Sequence, residues 1–186
     1  MKSCIIETAL GWLGLVLSPA GLRAVTLPCR DRDAALREVL ALGAREEARA
    51  DELGDLPERL RRYARGEPVT FPDALDFSTA TPFQRAVWQA VREIPYGHTR
   101  SYGWLAARVG KPRAGRAVGQ ALAANPWPII VPCHRVISSS GRLAGYGGGL
   151  DMKERLLQLE GGDQWLAIEM KDGDGNLMHT VGMSES

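Results

Sequence analysis

Residues 101–137 read SYGWLAARVGKPRAGRAVGQALAANPWPIIVPCHRVI, and the first part of this stretch has the spacing of two short helices. Ser101 is a good N-cap, Leu105, Ala106 and Val109 make an apolar stripe, and Gly110 with Pro112 ends it. The spacing predicts a second helix from about Arg113 to Ala124, stopped by Asn125-Pro126. Val118, Ala121 and Leu122 would face a core, while Arg113, Arg116 and Gln120 at i, i+3 and i+7 share a polar face. Ala106, four residues before Gly110, suits a tight crossing, so the pair is a helix-turn-helix candidate. An ordinary helical hairpin with a solvated arginine face fits the same spacing.

Working outward, a helix opens at Thr81-Pro82, places Phe83, Val87, Ala90 and Val91 on one face, and stops at Ile94-Pro95-Tyr96-Gly97. Residues 66–82, with Pro68, Pro72 and Pro82, read as a linker. Before it, residues 12–17 read as a buried strand, Pro19-Ala20-Gly21 as a turn, and Leu22 to Leu27 as a second strand. Asp33 can cap a helix through Leu42, and Leu56 to Arg65 suggests another, with Pro57 in its first turn and Gly66 after its end. Residues 44–52 could extend either helix or form a charged loop. Arg61, Arg62 and Arg65 read as a solvated helix face. No internal repeat is visible, which excludes a solenoid.

The 186 residues are 45% hydrophobic and 24% charged, which excludes a wholly disordered or fibrous chain. The net charge of +1 argues at first against a nucleic-acid partner. Its distribution argues otherwise, because residues 81–160 carry 11 basic and only 4 acidic side chains, between acidic flanks. Three cysteines, Cys4, Cys29 and Cys133, are too few for a disulfide framework and suit a reducing compartment; Cys4 and Cys29 read as small buried hydrophobes. Glu7 interrupts the apolar N-terminal run, no Ala-x-Ala site follows, and no stretch approaches the ~18–20 apolar residues of a membrane helix. The expectation is a soluble, cytoplasmic protein without a membrane partner.

Residues 125–137 hold the chemistry. Three prolines around an apolar run deny a regular helix or central strand and hold the backbone in one shape. At the end of the run Cys133 is followed by His134 and Arg135. A free thiol titrates near ~8.5, so a nucleophilic cysteine needs a base and local positive charge. Adjacent side chains on extended backbone diverge, so His134 would reach the sulfur through a turn or a bridging water.

The string Pro132-Cys133-His134-Arg135-Val136 resembles the active-site signature of the O6-alkylguanine-DNA alkyltransferases, the methylated-DNA–protein-cysteine methyltransferases. Ser101-Tyr102, Arg116-Ala117-Val118-Gly119, Asn125-Pro126, Tyr146-Gly147-Gly148-Gly149 and Lys153 through Glu160-Gly161 resemble the same family at compatible spacings. The resemblance is strong over residues 81–162 and loose before them. Apart from an acidic tail (163–186) that has no counterpart there, it implies an α/β N-terminal ribonuclease-H-like domain (residues 1–80) and a mostly helical C-terminal domain with a helix-turn-helix (81–162). It implies irreversible, single-turnover transfer of an alkyl group from O6-alkylguanine, with O4-alkylthymine a further substrate, to Cys133 of a monomer that needs no cofactor.

The resemblance also implies roles. His134 would act as the base through water, with Glu160 as its carboxylate partner. Tyr102 would donate to the leaving guanine, and Asn125 would brace the loop. The carbonyls of Cys133 and Val136 would accept from the guanine amino group, backbone at Tyr146, Gly147 and Gly148 would meet O6, and Pro128 and Tyr146 would wall the pocket. Arg116 would fill the stack left by the flipped nucleotide in double-stranded DNA. Ala114, Gly115 and Gly119, with Ala123 and Ala124, would let the second helix enter the minor groove, and Arg100, Lys111 and Arg113 would meet phosphates.

Some relatives hold an N-terminal zinc with two cysteines and two histidines. The histidines here are His98, His134 and His179, so no metal is expected. Residues 172–176 imitate a calcium loop without its full spacing and read as a turn. Three other readings remain. A lesion-binding alkyltransferase-like protein would lack the acceptor cysteine. A helix-turn-helix transcription regulator would leave Pro132-Cys133-His134 unexplained, and a Cys–His hydrolase would leave the DNA-binding pattern unused.

Overall fold

The computed structural model describes residues 1–143, 145–161, 170–171 and 177–178. The chain forms two compact units, Met1–Arg85 with Asn125–Val131, and Ala86–Ala124 with Pro132–Ser186. The expected acidic tail lies largely outside the described residues, and the imitation calcium loop entirely so.

The first unit is built on a four-stranded sheet of order β3-β2-β1-β4. Strands β1 (Lys2–Thr8), β2 (Gly11–Ser18) and β3 (Gly21–Val25) run antiparallel, and the short β4 (Glu46–Glu47) joins β1 in parallel. Residues Leu13 to Val16 of β2 are all buried because both faces of this central strand are covered. Helix α1 (Arg32–Ala41) covers one face, where Val16, Ala24, Val39 and Ala44 form a core cluster. Gly14 permits that approach, since a Cβ there would stand 2.3 Å from the Val39 side chain.

Asp31 caps α1, its Oδ1 accepting from the Ala34 N–H at 2.7 Å, while Asp33, the predicted cap, sits in the first turn. The extended backbone at Asp31 (φ −148°, ψ 167°) aims its carboxylate at the free amides, which sets the helix start two residues earlier. Residues 44–52 supply β4 and a one-turn helix, α2 (Ala50–Leu53). Helix α3 (Leu56–Ala64) matches its expected span, with Pro57 in its first turn. Its arginines are spent on ion pairs: Arg61 with Glu58, Arg62 with Glu67, and Arg65 with both.

The stretch expected as a linker is laced to this unit. Arg59 grips both oxygens of Asp73 at 2.7 Å, and buried Asp76 accepts from Ser18 Oγ at 2.7 Å. Residues 125–131 pack here too: Trp127 Nε1 donates to the Leu22 carbonyl at 2.8 Å, and the Val25 N–H donates to the Pro126 carbonyl at 2.9 Å. Within this segment Ile129 has a φ of 74°, a left-handed conformation uncommon for a β-branched residue.

In the second unit the boundary helix α4 (Pro82–Arg92) opens with a capping box, Thr81 Oγ1 accepting from Gln84 N–H and Gln84 Oε1 from Thr81 N–H. Next come β5 (Arg100–Ser101), α5 (Tyr102–Arg108) and α6 (Gly115–Ala123). Ser101 caps α5 as expected, its Oγ accepting from Trp104 N–H at 3.0 Å. Gly110 (φ 71°) closes it, with the Lys111 and Gly110 N–H groups returning to the Ala106 and Ala107 carbonyls. Helix α6 starts two residues later than expected, so Arg113 lies in the turn before it. Trp88 Nε1 donates to the Ala121 carbonyl at 2.8 Å, satisfying one orphan acceptor at the end of α6. A single 3-10 turn (Cys133–Arg135), β6 (Val136–Ile137), α7 (Leu150–Gly161) and the antiparallel pair β7 (Met170–Lys171) and β8 (Leu177–Met178) complete the unit. Among the described residues no helix is long and apolar enough to cross a membrane.

Candidate active site around Cys133

Three local features place Cys133. It opens the 3-10 turn after Pro132, whose carbonyl accepts from Arg135 N–H at 2.9 Å. Immediately after the turn, Val136 and Ile137 pair in parallel with Arg100 and Ser101. The cysteine turn is thereby tied to the start of α5, where Tyr102 sits. Cys133 is 7% exposed and not in a disulfide, whereas Cys4 and Cys29 are half-buried and not the core residues expected.

The 3-10 turn directs His134 inward, and none of its surface is exposed. Nε2 lies 2.7 Å from Oε1 of Glu160, which reaches in from the last turn of α7. Glu160 takes more than that one bond. Arg135 donates through Nε to Oε2 at 2.8 Å and through Nη2 to Oε1 at 2.9 Å, and Gly97 N–H donates to Oε2 at 3.2 Å. Burial raises the proton affinity of the Glu160 carboxyl, but His134 and Arg135 outweigh it and hold the group far below the usual carboxylate range. His134 is pulled down, chiefly by burial, against the upward pull of Glu160. The pair is therefore a neutral imidazole on a carboxylate at neutral pH.

Two basic groups complete the site: Arg135, expected beside Cys133 only as local positive charge, and Lys153, for which the sequence suggests no role. Arg135 is 7% exposed, its third nitrogen, Nη1, donates to the Ile94 carbonyl at 2.6 Å, and its guanidinium sits 5.8 Å above the Tyr96 ring. Lys153 is fully buried, donates to the Val136 carbonyl at 2.6 Å and lies 5.8 Å from the Tyr102 ring centre. Burial pulls the Lys153 amine down to about 8, while Cys133 pulls it upward. A signal was present: Lys153, Leu156, Leu157 and Glu160 form one buried stripe at i, i+3, i+4 and i+7 of α7. A charge at each end of such a stripe marks a buried partner.

Tyr102 is half-buried and its Oη donates to the Gly145 carbonyl at 3.3 Å. Its phenol is pushed up by burial and then by Cys133. The Tyr146 phenol is raised much further by burial, and its Oη is buried without a hydrogen bond. Both therefore keep their protons at neutral pH. A Cβ on Gly119 would stand 3.9 Å from the Tyr102 ring, and one on Gly147 would stand 4.0 Å from the Ala123 carbonyl, so α6 and the 145–149 loop flank Tyr102. Gly148 lies in the same turn. Of the two carbonyls expected to face a ligand, Val136 O accepts from Lys153 and Cys133 O from Val136 N–H. Each keeps a second lone pair.

Asn125 and Pro128 fall in the first unit. There Asn125 clamps its own loop, Oδ1 accepting from Trp127 N–H at 3.0 Å and Nδ2 donating to the Val131 carbonyl at 2.9 Å, and Pro128 is buried. Lys111, Arg113, Arg116 and Gln120 are all exposed along α6 and the turn before it, with Ala114 and Gly115 half-exposed between them. Arg100 is half-buried, donates to the Thr99 carbonyl at 2.8 Å and stacks 5.7 Å from the Trp104 ring. The basic block is thus smaller at the surface than in the sequence, because Arg135 and Lys153 are buried and Arg108 pairs with Glu93.

A buried thiol beside a carboxylate-held imidazole defines a protein equipped for nucleophilic chemistry at a cysteine. Comparison with known proteins narrows that class. Residues 82–162 match the family described as 6-O-methylguanine DNA methyltransferase, DNA binding domain. A methylated-DNA–protein-cysteine methyltransferase of Salmonella typhimurium is 50% identical over 117 residues, 62% of this chain and 68% of that protein. One of Mycolicibacterium paratuberculosis is 55% identical over 103 residues, 55% of this chain. The solved O6-methylguanine methyltransferase of Mycobacterium tuberculosis superposes with a TM-score of 0.68 at 38% identity, covering 86% of this chain and 92% of that one. A structure of the M. tuberculosis protein in complex with DNA superposes at 0.65 with 36% identity, covering 89% and 99%. The chain belongs to the methylated-DNA–protein-cysteine methyltransferase family. The matched stretch spans 62% of the M. paratuberculosis relative and 65% of one from Methanosarcina acetivorans.

Proposed function

We propose that this chain repairs O6-alkylguanine in double-stranded DNA by moving the alkyl group onto Cys133, once per molecule and without a cofactor. The observation that carries the reading is the buried His134–Glu160 pair, 2.7 Å apart, on the turn that bears the cysteine. Because Nε2 is committed to Glu160, the buried Nδ1 is the nitrogen that exchanges a proton on the cysteine side, through water.

In the reaction the Cys133 thiolate attacks the carbon bonded to O6. An S–C bond forms as the C–O6 bond breaks, and O6 keeps the bonding pair. The thiol proton passes to His134, and the guanine regains one proton at the ring. Tyr102, protonated at neutral pH, donates to the base as its negative charge develops. The thioether cannot be displaced under mild conditions, so the protein is consumed.

The α5–α6 pair acts as a helix-turn-helix whose second helix enters the minor groove, with Ala114, Gly115 and Gly119 allowing close approach. Arg116 occupies the stack vacated by the flipped nucleotide, and Lys111, Arg113 and Arg100 serve phosphates. Cys133, Val136, Tyr146, Gly147 and Gly148 receive the base, and Asn125 holds its own loop. Residues 1–80 form a ribonuclease-H-like support, 81–162 the working part and 163–186 a tail, in a cytoplasmic monomer. The test is a division of roles: Cys133→Ala should lose transfer and still bind a lesion duplex in a mobility-shift titration. A variant that transfers, or that no longer distinguishes lesion from undamaged duplex, would refute the reading.

A further inference from the structure

The His134–Glu160 pair has a third member. Arg135 approaches Glu160 side-on, Nε to Oε2 and Nη2 to Oε1, and its remaining nitrogen is fixed on the Ile94 carbonyl. Such two-pronged bonding sets a carboxylate's plane as well as its place. The same Oε1 serves His134, so the direction of the His134 bond is set by how Arg135 holds the carboxylate. The turn at 94–97 completes the clamp: Gly97 N–H reaches Oε2, and Tyr96 Oη donates to the Leu159 carbonyl at 3.0 Å.

We propose that Arg135 is a positioning residue for the transfer reaction: it fixes Glu160 so that the carboxylate orients the His134 ring and remains an acceptor that does not take the ring proton. A carboxylate bonded to one imidazole alone competes for the proton. One already neutralised by a guanidinium is a weaker base and only steers. The inference rests on the proposed function above.

The charges acting on His134 are Glu160 and Lys153 from α7 and Arg135 on its own turn; the Tyr96 phenol faces Glu160 and Arg135, and the Tyr102 and Tyr146 phenols face Cys133. Arg135 lowers the proton affinity of His134, and Glu160 raises it. Removing the guanidinium therefore raises the proton affinity of the groups around it. The acid limb of any reaction that needs the neutral ring must then move to higher pH.

The test is the pH profile of Cys133 labelling by iodoacetamide, followed by peptide mass in a Cys4→Ser/Cys29→Ser background, which requires neither DNA nor lesion. Arg135→Gln should move the acid limb up by about one pH unit. Arg135→Lys, which keeps the charge and loses the fork, should leave the limb in place and lower the plateau. A folded Arg135→Gln protein with an unmoved limb overturns the proposal. Should that variant not fold, nitrogen NMR of His134 in the unaltered protein decides. A neutral ring protonated at Nε2 at pH 6 supports the proposal, and an imidazolium there contradicts it. Failure of the functional reading shows separately, as an unaltered protein that labels as described yet takes no alkyl group from a lesion duplex.

Discussion

Lys153 Nζ donates to the carbonyl of Val136 from a position with no exposed surface, within 5.8 Å of the Tyr102 ring centre. An ammonium taken fully out of water is costly, and here it stands beside the one buried cysteine. Its charge attracts the Cys133 thiolate, which offsets part of that cost.

Two consequences are measurable with Lys153→Met, which keeps the apolar stem. Labelling of Cys133 at pH 7 should slow severalfold, and an unchanged rate would remove Lys153 from the site. The pH dependence of stability has a definite sign. The folded value is about 8, below the ~10.4 of an unfolded lysine, so the unfolded chain binds more protons between them. Urea unfolding should show the unaltered protein gaining on the variant as pH rises from 7 to 10.

Glu160 works in the opposite pH range. Its folded value lies below that of an unfolded carboxyl, so its stabilisation is present above pH ~4.3 and is lost as pH falls further. His134, also held down, adds to acid sensitivity once pH falls below the ~6.5 of an unfolded histidine. Glu160→Gln should destabilise the protein at pH 7 by about 3 kcal/mol, because Arg135 is left buried without its counter-charge. The difference from the unaltered protein should shrink below pH 4 in acid-unfolding curves.

Asn125 closes its loop with two hydrogen bonds, to Trp127 N–H and the Val131 carbonyl. Asn125→Ala should cost about 1–3 kcal/mol in chemical denaturation. A loss near zero would show that the prolines hold the segment without it.

Arg116 is exposed on α6, and Arg116→Ala should slow transfer from duplex DNA at least about tenfold while leaving reaction with free O6-benzylguanine nearly unchanged. Equal losses would contradict a role in nucleotide flipping. Neutralising Lys111 or Arg113 should reduce the salt slope of binding by about 1 each. Neutralising Arg61, Arg62 or Arg65 should not, since each is paired with Glu58 or Glu67.

Local signals in the sequence located the α5–α6 pair, the β2–β3 hairpin, α3 and α4, because caps, prolines and glycines act within a turn of where they stand. Strand β1 was not assigned; its seven residues, KSCIIET, mix a cysteine and charges into a short apolar run, and its pairing with β2 decides it. The linker reading of 66–82 missed Arg59–Asp73 and Ser18–Asp76, contacts 14 and 58 residues apart. In the site, Cys133 and His134 were legible from their neighbours. The pairing of Arg135 with Glu160 and the seat of Lys153 on the Val136 carbonyl were not legible, because these partners lie 25 and 17 residues away. Burial of a charge depends on such distant partners, and only the stripe on α7 betrayed it.

Incubating the protein with a duplex containing O6-methylguanine and mapping its mass by peptide decides whether Cys133 is the alkyl acceptor. The expected outcome is a gain of one methyl group confined to the Cys133 peptide, with repair stopping at one equivalent. Repeated turnover, methylation elsewhere, or lesion binding with no change in mass would contradict it.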